Sequence, residues 1–255
     1  MKLLKKLIIA FTPDVKNIPK KVRGIFPFIQ NWSEYRTQAK KLNQPLPSWN
    51  DLYFQFDDRY QESGGLPQHY FYQDLWAARL VFDSKTDVHY DVGSSIDGFI
   101  AHISLFCQAK VVDIRPQSTE IKNVEFIQGD ITNLTFADSS ISSLSCLHVA
   151  EHIGLGRYGD DIDPLGTKKA IEELQRILSL NGDLYFAVPV GRERICFNAH
   201  RVFSPKTIVN YFDGLSLQSF SIVSDTEKFI EDCSIQEADD AEYSCGLFHF
   251  KKTDN

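Results

Sequence analysis

Short apolar runs and helical apolar patterns alternate along the chain from residue 88 onward. The runs that predict buried strands cover residues 88–91, 109–112, 124–127, 141–147, 183–188, 215–223 and 243–250. Strands that alternate with helices predict a doubly wound α/β fold with a mostly parallel sheet. The last two runs have no apolar helical pattern between them, so they predict a C-terminal antiparallel β-pair. The clearest helix pattern is expected to begin at Thr167, as its N-cap, and to end at Asn181-Gly182.

Residues 1–86 have a different pattern, which predicts a mainly helical N-terminal extension before an α/β domain of residues 87–255. Its prolines predict short helices, and they are Pro13, Pro19, Pro27, Pro45 and Pro47. One short helix is expected within residues 31–42 and another within residues 68–82. The second is rich in aromatic residues, so it is a candidate for packing on the domain or for covering a substrate site.

A glycine- and serine-rich turn joins the first predicted strand of the domain to its helix. Asp91 ends that strand, and the next strand ends 22 residues later in Asp113. Glycines let the backbone approach a ligand, the helix start offers free N–H groups, and the second acid can accept hydrogen bonds from ribose hydroxyls. The unit therefore predicts a nucleoside pocket. Because Asp91 would repel a pyrophosphate, a cationic ligand such as S-adenosylmethionine is favoured over a nicotinamide dinucleotide.

Two long polar loops, residues 154–166 and 190–205, follow the fourth and fifth predicted strands, and long loops at strand ends are often functional. The candidate substrate-binding residues in them are Arg157, Tyr158, Asp160, Arg192, Asn198 and Arg201. The arginines, together with Arg194, favour an anionic substrate. Asp160, Asp161 and Asp163 could converge on a divalent ion, but no histidine or further acid at a diagnostic spacing supports it, so no metal site is predicted.

Histidines near these loops are candidate general bases, the groups that would take a proton from a substrate hydroxyl. His200 lies in the second loop and is the leading candidate. His152 follows the fourth strand with Glu151 beside it, and a histidine there titrates near neutral pH. Two structural alternatives stay open. His200 could be satisfied by backbone hydrogen bonds, and Glu151 could be an acid that accepts N–H groups at a helix start.

Composition and charge exclude some classes of protein. The net charge of −7 gives no sign of a general nucleic-acid binder. The five cysteines form no C-x-x-C pair, so we expect reduced thiols in a cytoplasmic protein. Residues 1–25 carry seven lysines and arginines against the single acid Asp14. That segment could lie on an anionic membrane surface or pack as a basic helix on its own domain.

Several motifs together resemble the class I S-adenosylmethionine-dependent methyltransferases. DVGSSIDG at residues 91–98 is similar to their first motif, FADSS through HVAEHI at 136–153 to their fourth-strand motif, and LSLNGDL at 178–184 to their helix-turn-strand before strand five. The resemblance implies a seven-stranded Rossmann-like fold over about residues 88–252. The loops GRYGDDIDPLG and FNAHRVFSP resemble those of a bacterial and nematode family of unknown function, number 268.

This resemblance implies a set of cofactor-binding residues, with Asp113 at the ribose and Asp130-Ile131 at the adenine. They are Asp91, Gly93, Ser94, Ser95, Gly98, Asp113, Asp130, Ile131 and His148. Ser95 and Asp97 stand where the motif usually has glycines, and Asp97 is expected to bring a side chain and a charge into the tightest part of the turn.

The sequence therefore predicts a cytoplasmic O-methyltransferase that uses S-adenosylmethionine to modify a small or saccharide-type acceptor, as in glycan modification. The loop arginines favour an anionic group on that acceptor. A methyltransferase-like protein that has lost catalysis and acts as a binding or scaffold subunit is the main alternative, because the glycine motif is altered. A nicotinamide-dependent oxidoreductase is the third.

Overall fold

The computed structural model describes residues 18–49, 52–56, 60 and 68–254. The chain forms two compact units, residues 1–66 and residues 67–255. Most of the basic N-terminal segment, residues 1–17, lies outside the described residues. The domain boundary predicted from the sequence follows residue 86, whereas residues 67–86 group with the α/β unit. Where an independently folding domain begins stays a prediction.

Helix α1, Ile18–Lys41, is one helix of 24 residues in the first unit, and it runs through Pro27. The expectation that prolines keep the helices of this region short is therefore wrong here. Proline offers no N–H to the carbonyl four residues before it, which is that of Arg23. The Tyr60 hydroxyl donates to this carbonyl over 3.4 Å, so a tertiary contact replaces the missing helical bond.

The second unit is built on one large sheet and a separate hairpin. The strands are β1 Val88–Val92, β2 Gln108–Asp113, β3 Val124–Gln128, β4 Ile141–Leu147, β5 Leu178–Val190, β6 Arg194–Cys196, β7 His200–Val202, β8 Ser216–Val223, β9 Phe229–Ile230 and β10 Ser244–Lys251. The order in the large sheet is β3-β2-β1-β4-β5-β10-β8-β9, and β6 and β7 form the hairpin.

Strands β1 to β5 pair in parallel, and β10 pairs antiparallel with both β5 and β8. The seven predicted strands are thus present, and the predicted antiparallel pair is β8 with β10. The two-residue β9 adds an eighth strand at the edge. The predicted doubly wound, mostly parallel sheet is confirmed.

One helix of the second unit precedes β1, and the others connect its strands. They are α2 Gln68–Ser84, α3, which joins a π-helical turn Ile96–Ile100 to Ala101–Ile103, α4 Gly166–Ile177 and α5 Pro205–Tyr211, and short 3₁₀ turns cover Ala150–His152 and Ile235–Ala238. Two separate apolar cores cover the two faces of the sheet. Helix α4 contributes Ile171 and Leu174 to one core, and α2 contributes Trp76 and Val81 to the other.

Both predicted ends of α4 are wrong by a few residues. The helix ends at Ile177 instead of Asn181-Gly182, because Leu178 already pairs with β4 and begins β5. Leu165, not Thr167, is the N-cap residue. The Thr167 hydroxyl donates to the carbonyl of Ala150 over 2.7 Å, so its side chain joins α4 to the turn after β4.

Candidate cofactor and acceptor site

A cavity of about 380 Å³ opens at the carboxyl ends of the parallel strands β1 to β4. Its lining comes from the turns after these strands and from the loop before α4. The lining residues that matter most below are Gly93, Asp113, Arg115, Asp130, Ile131, His148, His152, Tyr158 and Asp160. Ligands of open α/β sheets bind at this edge, where neighbouring strands diverge. The volume falls within the range of small-molecule sites.

The turn after β1 is built around the buried carboxyl of Asp91. Its Oδ1 accepts hydrogen bonds from the hydroxyls of Ser145, at 2.5 Å, and Ser94, at 2.7 Å. Its Oδ2 accepts the backbone N–H of Ser94 at 3.0 Å. Gly93 follows with a φ of +77°, and a Cβ there would lie 2.8 Å from Cγ1 of Val149. A glycine is therefore required at the wall of the cavity.

The altered part of the glycine motif is accommodated outside the cavity. Asp97 is exposed and accepts a hydrogen bond from the Ser95 hydroxyl, so its charge points to solvent. The expectation that Asp97 enters the tightest part of the turn is wrong, because the π-helical turn of α3 carries it outward. A Cβ on Gly98 would lie 1.9 Å from Oδ2 of Asp74, so this glycine makes room for a carboxylate of α2. Ser95 and Gly98 lie away from the lining.

Asp113 ends β2 and is held by a neighbour that sequence reasoning missed. Arg115 donates to both carboxylate oxygens, from Nε at 2.9 Å and Nη2 at 2.8 Å. Partial burial alone would raise the pKa of Asp113, but the hydrogen bonds from Arg115 lower it. The Arg115 guanidinium lies 5.0 Å from the ring centre of Tyr158. The spacing Asp-x-Arg was the available signal for this pair.

Asp130 and Ile131 form the next part of the wall, after β3. One oxygen of Asp130, Oδ1, accepts both the N–H and the hydroxyl of Thr132 at 2.8 Å, and Ile131 is buried. A short turn thus holds the exposed acid next to an apolar side chain. The predicted adenine position is brought to the same cavity as Asp113.

The turn after β4 carries two candidate catalytic groups. The Nδ1 of His152 lies 2.6 Å from the carbonyl of Ala199, which can only accept, so Nδ1 carries the proton and Nε2 is the acceptor of the neutral ring. Burial lowers the pKa of His152. Glu151 is 1% exposed, and burial raises its pKa to about 8. Its Oε1 lies 3.6 Å from Nε2 of His152, and within the described residues its Oε2 has no hydrogen-bond partner.

His148 begins this turn with a φ of +54°, and its side chain lines the cavity. Its Nδ1 lies 2.5 Å from Oε1 of Gln73, and burial lowers its pKa to about 3. The ring of Tyr70 packs on it at 5.4 Å between centres. Helix α2 therefore reaches the site. The aromatic pattern of residues 68–82 suggested this, whereas Gln73 gave no signal in the sequence.

The two predicted substrate loops are tied to each other. Oδ2 of Asp160 accepts the N–H groups of Gly154 and Gly156, so this aspartate shapes its own loop. Arg157, which is exposed, donates to the carbonyl of Ala199 at 3.1 Å. Arg201 is buried and donates to the carbonyl of Ile153 at 2.6 Å, so its guanidinium holds the loops together away from the cavity.

The remaining predicted residues lie outside the cavity. His200 is half-buried against the ring of Tyr243, 5.1 Å away, and burial lowers its pKa. Arg192 is exposed and lies 3.8 Å from Glu242, and Asn198 is exposed in the β6–β7 hairpin. The structure therefore gathers His152, His148 and Tyr158 at the cavity, with Glu151 behind them.

The charges on the lining decide which ligands suit it. Among the residues that the structure describes, five carboxylates line the cavity, from Asp113, Asp130, Asp160, Asp161 and Asp163, and the two cations are Arg115 and Lys169. Lys169 is paired with Asp163 at 2.7 Å. An excess of negative charge opposes a pyrophosphate and suits a ligand with a positive centre. A ribose acid, an apolar adenine wall and this charge together fit S-adenosylmethionine.

A comparison with models of protein families shows which family the chain belongs to. The family model described as "Caenorhabditis protein of unknown function, DUF268" matches residues 107–252, more than half of the chain. The chain belongs to this family. The match includes β2 to β10 and both loops that meet at Ala199. No curated protein matches the sequence.

Solved structures show the same fold at low identity. The N-methyltransferase NodS from Bradyrhizobium japonicum WM9, in complex with S-adenosyl-L-homocysteine, is 15% identical with a TM-score of 0.52, covering 78% of this chain and 92% of its own. A sarcosine dimethylglycine methyltransferase from Galdieria sulphuraria is 14% identical at 0.52, covering 72% and 86%. The (4+2)-cyclase SpnF is 12% identical at 0.50, covering 71% and 81%. One fold thus hosts different reactions, and function must come from the site.

Proposed function

We propose that this protein is an S-adenosylmethionine-dependent methyltransferase. The observation that supports it best is the acidic cavity in which Gly93, Asp113 and the pair Asp130-Ile131 meet. When bound, the cofactor supplies an electrophilic methyl group. Asp113 would hold the ribose hydroxyls, Ile131 would pack on the adenine, and Asp130 would accept from its amino group. The backbone at Gly93 leaves room for the rest of the ligand.

The proposed acceptor atom is a hydroxyl oxygen, and His152 is the proposed base. Its Nδ1 is committed to the carbonyl of Ala199, so Nε2 can take a proton. A lowered pKa keeps the ring neutral at pH 7, the form that a base needs. His200 is the second candidate base, but its ring packs on Tyr243 outside the cavity.

We propose a small, saccharide-type acceptor, as in glycan modification. Tyr158 is 40% exposed at the cavity, and the guanidinium groups of Arg115 and Arg157 lie 5.0 and 5.1 Å from its ring centre. Its hydroxyl beside these donors suits the hydroxyl groups of a sugar. Support for an anionic acceptor is weaker, because Arg201 is bound to backbone carbonyls and Arg192 lies at Glu242. Arg157 is exposed, but it donates to the carbonyl of Ala199 and does not line the cavity, so it adds little support.

The test is a calorimetric titration of the purified chain with S-adenosylhomocysteine. We expect micromolar binding in the parent and a loss of at least about 30-fold in Asp113→Ala, because the ribose loses its acceptor. Asp213→Ala removes an exposed carboxylate that does not line the cavity and should leave the affinity unchanged. Equal affinities in all three proteins would contradict the assignment of the pocket.

The same titration tests the scaffold alternative, and a separate fluorescence titration tests the oxidoreductase. A chain that does not bind the ligand at millimolar concentration would support the non-catalytic scaffold. Quenching of tryptophan fluorescence by NADH, but not by S-adenosylmethionine, would support an oxidoreductase. The intact turn at Gly93 and the outward position of Asp97 favour cofactor binding over the scaffold.

We also propose a cytoplasmic location with peripheral contact to an anionic membrane. All five cysteines are free thiols, which suits a reducing compartment. On α1, Val22, Phe26 and Ile29 are 54%, 75% and 58% exposed and share one face, and the neighbouring sequence is basic. Within the described ranges, no helix is long and apolar enough to cross a bilayer.

Vesicle flotation tests the membrane contact. The parent should bind vesicles that contain phosphatidylserine, and Phe26→Ser should no longer bind them. Leu105→Ser, which changes another exposed apolar residue, should bind like the parent. Binding that is equal for neutral and anionic vesicles would contradict the proposal, because the basic segment would then contribute nothing.

A further inference from the structure

A chain of buried polar groups runs from the interior of the sheet to the cofactor turn. His89 on β1 is fully buried, and its ring lies between two serines of β4. Its Nδ1 is 2.7 Å from the Ser143 hydroxyl, and its Nε2 is 2.9 Å from the Ser145 hydroxyl. Ser145 is in turn 2.5 Å from Oδ1 of Asp91. Asp91 and His89 lie on the same face of β1, because side chains two residues apart share a face.

The direction of these hydrogen bonds follows from the one proton of the Ser145 hydroxyl. This proton goes to Asp91, since the contact to a carboxylate is shorter and charge-assisted. The lone pair of Ser145 must then accept from Nε2 of His89, so Nε2 carries the ring proton. The neutral ring accepts at Nδ1 from Ser143. Every donor along the chain therefore points towards Asp91.

The hydrogen bonds that Asp91 accepts extend this chain to the wall of the cavity. It accepts the hydroxyl of Ser94 at 2.7 Å and its N–H at 3.0 Å, and these two bonds set the backbone next to Gly93. The other ionisable groups that act on Asp91 are the acid Asp74 of α2 and the thiol Cys146 of β4. Within the described part of the chain, no cation contributes a hydrogen bond to Asp91.

We propose that His89 is a positioning residue for the cofactor: it fixes the direction of the Ser145 hydroxyl, which holds Asp91 as the acceptor for the Ser94 turn. The inference rests on the proposed function, since the turn matters through the ligand that it receives. It assigns a role to a histidine outside the cavity. It also explains why β4 carries serines at two buried positions, where an apolar residue would be expected.

The first test measures the ring itself and needs no ligand. In long-range nitrogen–proton spectra, His89 should be neutral from pH 5 to pH 9, because burial lowers its pKa to about 3. Between pH 7 and pH 9, where Asp91 is ionised, the ring proton should be on Nε2. The resonance is identified by its absence in His89→Gln. A proton on Nδ1, or titration near pH 6.5, would overturn the inference.

The second test follows the turn and the affinity for S-adenosylhomocysteine. In His89→Phe and Ser145→Ala, the amide resonances of Gly93 and Ser94 should shift and the affinity should fall about 3- to 10-fold. In His89→Gln, the amide nitrogen reaches the Nε2 position and can donate to Ser145, so both properties should return towards the parent. The double variant His89→Phe/Ser145→Ala should lose no more affinity than Ser145→Ala, since one residue acts through the other.

A matched control separates this role from general packing. Ser244 is a buried serine that donates to the carboxylate of Asp225 at 2.8 Å, so Ser244→Ala removes a similar bond elsewhere. It should leave the affinity and the Gly93 amide unchanged. Ser145→Ala should also move the loss of affinity on acidification to higher pH, because Asp91 loses a donor that stabilises its charge.

The outcomes distinguish the inference from the proposed function. If the parent binds the ligand and His89→Phe binds equally well, the inference fails and the proposed function stands. If the parent does not bind, the proposed function fails, and the tautomer with the amide shifts still decides whether His89 orders the turn. Additive losses in the double variant would also overturn the inference.

Discussion

Two buried acids lie at the ends of the neighbouring strands β1 and β4, and their surroundings differ. Asp91 accepts three hydrogen bonds, from Ser145 and Ser94, and burial raises its pKa to about 6. Glu151 is equally buried, but within the described chain its Oε2 has no partner, and burial raises its pKa to about 8. Burial is therefore common to both, and hydrogen bonding distinguishes them.

Within the described residues, both oxygens of Asp91 have hydrogen-bond partners, whereas one oxygen of Glu151 has none. Around Asp91, the fold satisfies the carboxylate and uses it to hold the wall of the cavity. Around Glu151, an oxygen is buried without a partner within the described residues, and such burial favours the protonated, neutral carboxyl. Glu151 lies beside His152, the proposed base, but its carboxyl does not line the cavity. The following predictions test the contrast, from the largest expected effect to the smallest.

The largest effect is expected on stability in Glu151→Gln. The folded-state pKa of about 8 lies above the usual 4.5, so the folded chain keeps a proton that the unfolded chain releases. The free energy of unfolding of the parent therefore falls as pH rises from about 4.5 to 8. At 1.36 kcal/mol per unit, the variant should gain up to about 5 kcal/mol over the parent by pH 9.

Urea titrations at pH 5, 7 and 9 measure this gain. At pH 5 both proteins are uncharged at this position and should be similar, which provides an internal control. Glu120→Gln, at an exposed glutamate, should follow the parent at every pH. A difference between parent and Glu151→Gln that does not change with pH would contradict the raised pKa.

The next effect concerns the wall that Asp91 holds. Gly93→Ala should destabilise the chain by about 2 kcal/mol, because the added Cβ meets Val149 and alanine disfavours a φ of +77°. Binding of S-adenosylhomocysteine should fall at least about 10-fold. Gly159 also has a positive φ, of +88°, but has open space around it, so Gly159→Ala is the control for backbone strain without a clash. Unchanged binding in Gly93→Ala would show that this turn does not form the wall.

A smaller effect is expected when the two acids receive the same change. Asp91→Asn replaces an acceptor by an amide that must face one of the donors from Ser94 or Ser145, so the affinity for S-adenosylhomocysteine should fall about 10-fold. Glu151 lies beside the proposed base and not at the cofactor turn, so Glu151→Gln should keep the affinity within about 3-fold. Calorimetry at pH 7 measures both. Equal losses would mean that the two turns do not have separate roles.

The elements of the α/β unit could be predicted because their signals are local. Apolar runs of period two or 3.6 reflect which face is buried, and all seven predicted strands were found. The course of α1 could not be predicted, since the bond from Tyr60 to the carbonyl of Arg23 replaces what Pro27 removes. That contact joins residues 37 positions apart, and nothing local in the sequence encodes it.

The site was predictable in outline and not in its contacts. Strand ends placed Asp113 and Asp130 at one edge, and the cavity lies there. Arg201, predicted to bind substrate, donates to backbone carbonyls, and a loop arginine carries no signal in the sequence for such partners. The outward course of Asp97 depends on a π-helical turn, for which the sequence carries no signal.

The smallest effect is expected at Ser95, a residue that the motif assigns to the cofactor. Its side chain is exposed and its hydroxyl donates to Asp97, away from the cavity lining. Ser95→Ala should therefore change the free energy of unfolding by less than about 0.5 kcal/mol and leave the affinity for S-adenosylhomocysteine within twofold. Ser94→Ala, one position earlier, removes a bond to Asp91 and should weaken binding clearly. If both serines proved equally important, the ligand would have to reach past Gly93 into the start of α3.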